Sequence, residues 1–274
     1  GRFAAYRAAG INRVSFGVQS FDDAALARIG RIHDAAQARR AVVEAQDAGL
    51  DNLNIDLMYA LPGQHVDGAL HDVHGAVALA PAHVSHYQLT LEPNTLFAAQ
   101  PPQLPDDDEA WAMQEACQAA LADAGYAQYE VSAYAREGRR CQHNLAYWSF
   151  ADYLGIGAGA HGKLTQADGS ILRTRKAMLP RSYLEHAARG EPLGSSTPVA
   201  PDQLPFEFML NALRLNDGFE EANFAATTGR PLECIMPTLE RAFEREWLER
   251  HGGRIRATAL GQRFLNDVVG MFLP

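Results

Sequence analysis

The sequence predicts an α/β fold, a parallel barrel-like sheet followed by a mainly helical region. Three observations predict it. Strand-like runs recur every 30 to 40 residues or so, roughly the size of a βαβ unit. Helical runs with recognisable cap signals fill the gaps between them. Each strand also carries one polar face, which an open parallel sheet buried on both sides does not accommodate.

The elements follow in order. GRFAAYRAAG (1–10) reads as the end of an amphipathic helix closed by Gly10, and no initiator methionine precedes it. RVSFGVQS (13–20) alternates Val14, Phe16 and Val18 with Ser15, Gly17 and Gln19, a period of two. A helix is expected from Asp34 to Gly49, with Val42 and Val43 inside it. NLNIDLMY (52–59) repeats the strand pattern, with Leu53, Ile55 and Leu57 on one face and Asn54, Asp56 and Met58 on the other. After the turn LPGQ comes a helix over 67–79, and then a third strand, HVSHYQLT (83–90). Three parallel strands cannot close a barrel. Their polar face (Gln19, Asp56, Gln88, Thr90) suits the lumen near the C-terminal mouth, where active sites of such folds lie. Further strands are therefore expected upstream of Gly1.

Past residue 91 the texture changes. EPNTLFAAQPPQLPDDDE is a proline- and acid-rich loop, and a helix is expected from Asp108 to Ala124 with Trp111, Met113, Cys117, Ala120 and Leu121 at helical spacing. GYAQYEVSAYA reads as one more strand. From residue 170 the chain reads as mostly helical, with Phe206, Met209, Leu210 and Leu213 as a buried stripe. PTLERAFEREWLERH reads as an amphipathic helix after Pro237, and GGRIRATALGQRFLNDVVGMF as a short β-wing and a closing helix. Linker-like stretches, HGKLTQADGS and RGEPLGSSTP, suggest one domain over 1–165 and another over 166–274.

Composition narrows the function. The chain has 274 residues, 47% of them hydrophobic, enough to bury a large core and a smaller one. A net charge of −9 argues against a nucleic-acid partner, which calls for a basic face. The winged-looking end does not change this, because Glu240, Glu244, Glu246 and Glu249 are interleaved with its arginines. No run reaches the roughly 18 apolar residues of a membrane span, so any membrane contact would be peripheral. The odd, scattered set Cys117, Cys141 and Cys234 does not suggest disulfides and points to the cytoplasm.

Three groups of residues carry candidate chemistry. Gln19, Asp56 and Thr90 stand near strand C-termini, and Arg31 follows the first strand. An aspartate accepts from ribose hydroxyls or an ammonium, and an arginine grips a carboxylate. The same side chains also suit a structural network under a loop. The run YLGIGAGAHG lets backbone approach a ligand closely, with His161 as a contact, or makes a tight strand and turn. It lacks the spacing of a dinucleotide fingerprint. The loop CQHNLAYW (141–148) offers His143 as a haem axial ligand with Tyr147 and Trp148 to cover a flat macrocycle. On the residues alone the simpler reading is preferred, in which the two aromatics anchor the loop while His143 caps a carbonyl.

GINRVSFGVQSF, GRIHDAAQA, NLNIDLMYALPGQ, YQLTLEPNTLF, CQHNLAYW and DYLGIGAGAHG resemble successive blocks of the HemW-type haem chaperones, across nearly the whole chain. These are radical S-adenosylmethionine (SAM) proteins related to oxygen-independent coproporphyrinogen III oxidase. The resemblance implies a partial (β/α)6 TIM-like barrel, entered here at its fourth strand, and a C-terminal domain with a winged-helix-like end. The family's CxxxCxxC loop has no counterpart among these residues, so the cysteine ligands of a [4Fe–4S] cluster are expected only in a longer chain. By motif, Gln19, Arg31 and Asp56 match S-adenosylmethionine contacts, and Thr90 and His161 match adenosyl contacts of the oxidase branch. His143, Tyr147 and Trp148 match the HNxxYW haem motif, with His143 on the iron. The oxidase branch carries an aromatic and an amide where this chain has Leu145 and Ala146, which favours a chaperone delivering haem to acceptor haemoproteins over oxidative decarboxylation of coproporphyrinogen III.

Overall fold

The computed structural model describes residues 1–191 and 194–274, which divide into two compact units, Gly1–Arg140 and Cys141–Pro274.

The first unit runs α1 (Arg2–Ala8), β1 (Arg13–Gln19), α2 (Asp23–Arg28), α3 (Ala35–Asp47), β2 (Asn52–Tyr59), α4 (Val66–Ala78), β3 (His83–Gln88), α5 (Leu96–Ala99), α6 (Asp107–Asp123), β4 (Ala127–Glu130) and β5 (Ala133–Ala135). Its sheet has the order β1-β2-β3-β5-β4. The first three strands are parallel; β5 is antiparallel to β3, and β4 to β5. The run GYAQYEVSAYA is thus a hairpin rather than one strand, and the sheet is mixed.

Local chemistry accounts for the element starts. Asp34 opens α3 with a full capping box, its side chain on the Gln37 amide and the Gln37 side chain on its own. Asp22 opens the short α2, which the periodicity does not reveal, by accepting from the amides of Ala24 and Ala25. Val42, Val73, Ala76, Met113 and Leu121 of the helices bury against Leu53, Ile55, Leu57 and Val84 of the strands. Each large aliphatic side chain there contributes about 1.5–3 kcal/mol. One strand face is thereby committed to the core, and alternation leaves the opposite face to polar residues.

β3 ends two residues earlier than its pattern suggests. The Leu89 amide donates to the Tyr59 carbonyl, and Leu89 turns into a small cluster with Ala25 and Leu61. Ser85 lies opposite Asp56 and Tyr87 opposite Met58. The polar face of β3 therefore belongs to His83, Ser85 and Tyr87; Gln88 and Thr90 do not share it. Below β1, the buried Asp72 of α4 accepts from Ser20 Oγ, the Phe21 amide and Gln64 Nε2, which locks the turn that follows Gln19.

The second unit runs α7 (Gln142–Trp148), β6 (His161–Thr165), β7 (Ile171–Lys176), α8 (Pro180–Arg189), β8 (Gly194–Pro198), α9 (Leu204–Ala212), β9 (Phe219–Glu220), α10 (Glu221–Thr228), α11 (Met236–Glu244), β10 (Leu248–His251), β11 (Arg254–Ala257), α12 (Ala259–Arg263) and α13 (Leu265–Gly270). The segment after residue 170 is less helical than its composition implies, because β6, β7 and β8 form an antiparallel sheet. HGKLTQADGS is β6 and its turn into β7. Residues 192 and 193 of the second linker-like stretch lie outside the described residues.

CQHNLAYW is a helix and not a loop. Cys141 is its N-cap, and no glycine, proline or β-branched residue interrupts QHNLAYW. The buried stripe of α9 consists of Leu204, Phe208, Met209 and Ala212, while Leu210 is exposed. Helix α11 stops at Glu244, and WLERH supplies β10, which pairs with β11 as the wing.

Candidate functional site

Pairing across the first unit's sheet stacks its polar face in rows. Ser15, Asn54 and His83 share one row, Asp56 and Ser85 the next, and Met58 and Tyr87 the one at the C-terminal end. Gln19 reaches that end through a bulge and a left-handed backbone, φ 71°. A Cβ on Gly17 would lie 2.8 Å from Gln19 Nε2, so a larger residue there would displace the Gln19 side chain.

Tyr87 gathers the sequence-predicted residues of this unit. Its hydroxyl donates to Gln19 Oε1 at 2.9 Å. Burial raises its pKa, the Asp56 carboxylate raises it further, and Gln19 and Arg31 pull it back, so the charges of Asp56 and Arg31 both reach its ring. Gln19, Asp56 and Arg31 thus converge on one side chain. The period-two pattern contained this signal, because Tyr87 has the parity of His83 and Ser85, but reading the third strand to Thr90 assigned the polar face to the wrong parity. Thr90 lies beyond the strand, exposed, with its hydroxyl donating to Glu92 Oε1 at 2.8 Å.

The Asp56 carboxylate is held from below. Ser15 Oγ donates to Oδ2 at 2.9 Å and Asn54 Nδ2 to Oδ1 at 2.7 Å. Each carboxylate oxygen keeps a lone pair for a further donor. Asp56 for hydroxyl or ammonium groups, Arg31 for a carboxylate and Gln19 for either polarity make a donor set that fits S-adenosylmethionine.

In the second unit, α7 presents His143 and Tyr147 one turn apart, ring centroids 4.8 Å from each other, with His143 exposed. Tyr147 stacks on Tyr153 at 4.1 Å, and Arg173 Nη1 donates to the Tyr153 hydroxyl. Trp148 turns toward a different neighbour, with the Arg214 guanidinium 4.3 Å above its ring. Tyr147 thus lies between His143 and Trp148, whose ring meets it edge-on with centroids 6.4 Å apart. His161 is exposed at the start of β6, opposite Arg175.

The cysteines do not form a metal centre. Cys117 is buried in the core face of α6, Cys141 caps α7 and Cys234 is exposed. No group of three His, Cys, Asp or Glu suited to a metal occurs among the described residues. The thiolates of an iron–sulfur cluster do not fit the cysteines of this chain.

Residues 1–73 match the model of the radical SAM superfamily, and residues 199–264 match the HemN C-terminal domain. Heme chaperone HemW of Escherichia coli is 46% identical over 272 residues, covering 99% of this chain and 71% of that protein. The chain belongs to the HemW heme chaperone family. HemW of Haemophilus influenzae is 45% identical over 99% of this chain and 70% of its own length, and HemW of Bacillus subtilis 33% identical over 97% and 70%. The fold also matches coproporphyrinogen III oxidase HemN of Escherichia coli, a radical SAM enzyme, at a TM-score of 0.78 and 20% identity. That match covers 99% of this chain and 66% of HemN.

Proposed function

We propose that this chain binds haem and passes it to acceptor haemoproteins in the cytoplasm, with S-adenosylmethionine held at the C-terminal mouth of the first unit's sheet. The observation that carries this reading is the HNLAYW helix, which presents an exposed imidazole beside an aromatic ring in a chain 46% identical to a heme chaperone. A neutral imidazole ligates haem iron well, and an adjacent aromatic packs against the macrocycle. His143 is the iron ligand, and Tyr147 and Trp148 are its aromatic packing partners. Gln19, Arg31, Asp56 and Tyr87 form the adenosyl pocket, with Thr90 as an outlying contact.

S-Adenosylmethionine supplies the group that the pocket recognises; the protein's part is to orient it. Asp56 accepts from ribose hydroxyls or the ammonium, and Arg31 pairs with the carboxylate. No helix among the described residues is long and apolar enough to cross a membrane.

Delivery is tested by mixing the haem-loaded chain with an excess of an apo-haemoprotein such as apomyoglobin. The expected result is transfer, followed as growth of the acceptor's Soret band, and its loss in His143→Ala. Loading that His143→Ala leaves unchanged would remove His143 as the ligand.

A further inference from the structure

Asp56 is one end of a chain of hydrogen bonds that runs back across the sheet into the core. Asn54 Nδ2 donates to Asp56 Oδ1 at 2.7 Å and to Ser15 Oγ at 2.6 Å. Asn54 Oδ1 lies 2.6 Å from His83 Nδ1 and 3.1 Å from Ser85 Oγ. His83 Nε2 lies 2.9 Å from the Tyr129 hydroxyl. Asn54 is 3% exposed and His83 not at all.

The direction of every bond follows from the Asp56 end. An ionised carboxylate only accepts, so the Asn54 amide must turn its NH2 toward Asp56 and its oxygen toward His83. An amide oxygen only accepts as well, so Nδ1 of His83 carries the proton. Nε2 is then the acceptor, and the Tyr129 hydroxyl donates to it. Burial, aided by the charge of Arg13, lowers the His83 pKa to about 3, which keeps the ring neutral and this single tautomer in place. Without His83, Asn54 Oδ1 keeps the longer Ser85 bond alone. The amide is then held less firmly beneath the Asp56 carboxylate.

We infer that His83 is a positioning residue: through Asn54 it orients the Asp56 carboxylate so that the remaining lone pair on each oxygen meets S-adenosylmethionine. The inference rests on reading Asp56 as an adenosyl-binding residue. It adds that a histidine outside the pocket sets the pocket's affinity.

Calorimetric titration with S-adenosylmethionine tests it on the wild type, Asp56→Asn, His83→Leu, His83→Gln and the double variant Asp56→Asn/His83→Leu, with Tm measured alongside. Asp56→Asn and His83→Leu are each expected to weaken binding about tenfold. The double variant should bind no more weakly than Asp56→Asn, because both act through one carboxylate. His83→Gln, which restores a donor to Asn54, should recover most of the affinity, an outcome that a merely structural role does not predict. His83→Leu binding as the wild type does, or a full additional loss in the double variant, would overturn the inference. If His83→Leu does not fold, Asn54→Ala breaks the next link and carries the same expectations.

A wild type that binds no S-adenosylmethionine would sink the adenosyl reading instead. Positioning is then judged by NMR without ligand. His83→Leu should shift the Asn54 side-chain NH2 resonances and the Asp56 carboxyl carbon, and resonances unmoved from the wild type would refute it.

Discussion

Asp72 and His83 lie buried in the same unit and respond to acid in opposite directions. Burial raises the Asp72 pKa from 3.8 to about 6, against the pull of its Phe21 and Ser20 hydrogen bonds. The folded state therefore holds this proton more tightly than the unfolded chain. Its contribution is fully present below pH 3.8 and is lost as pH rises through about 6, a difference of about 3 kcal/mol. His83 and His86 work the other way, their pKa values lowered by burial from 6.5 to about 3 and about 4. Their contribution is present above 6.5 and lost as pH falls toward those values. Urea unfolding of wild type and Asp72→Asn should thus differ more in favour of the wild type at pH 4 than at pH 7, by about 2 kcal/mol. An equal difference at both pH values would show that Asp72 titrates normally. At this scale the sequence made Gln19 and Asp56 legible, because period two exposes which side chains share a face. Tyr87 and His83 were hidden by one misplaced strand end, and no local pattern announces that Leu89 leaves the strand to join Ala25 and Leu61.

Helix α7 has seven residues, too few to hold itself together in water. It is held by what it packs on: Tyr147 against Tyr153, Trp148 against Arg214, and Ser149 Oγ donating back to the Leu145 carbonyl at 2.7 Å. Tyr153→Ala removes the stack and should cost the second unit about 1–2 kcal/mol in urea unfolding, whereas Tyr153→Phe should cost less than about 1. Equal costs would place the stabilisation in the Arg173–Tyr153 hydrogen bond rather than in the rings. This dependence explains why the segment read as a loop, since good local propensity does not hold so short a helix without tertiary contacts. Helices with strong caps, α3 and α6, were legible within a residue or two; Asp34 and Asp106 mark their starts by accepting from the amides of Gln37 and Glu109. The β4–β5 hairpin and the β6–β7–β8 sheet were not. The turn of the first, Val131 and Ser132, lies inside one alternating run, and the polar turn 166–170 between β6 and β7 reads as a linker.

The chain spans about 70% of the length of the HemW proteins it matches, and its sequence carries the family signature from end to end. Each unit contributes one candidate site. The polar end of the first unit's sheet is the proposed S-adenosylmethionine site, and α7 in the second presents His143, the proposed haem ligand. Titration of this chain with hemin, followed at the Soret band, tests whether His143 binds haem. Saturable one-to-one binding with the absorption of a histidine-ligated ferric haem is predicted, at least about tenfold weaker in His143→Ala and restored by added imidazole. Binding of equal strength and unchanged spectrum in His143→Ala would contradict it.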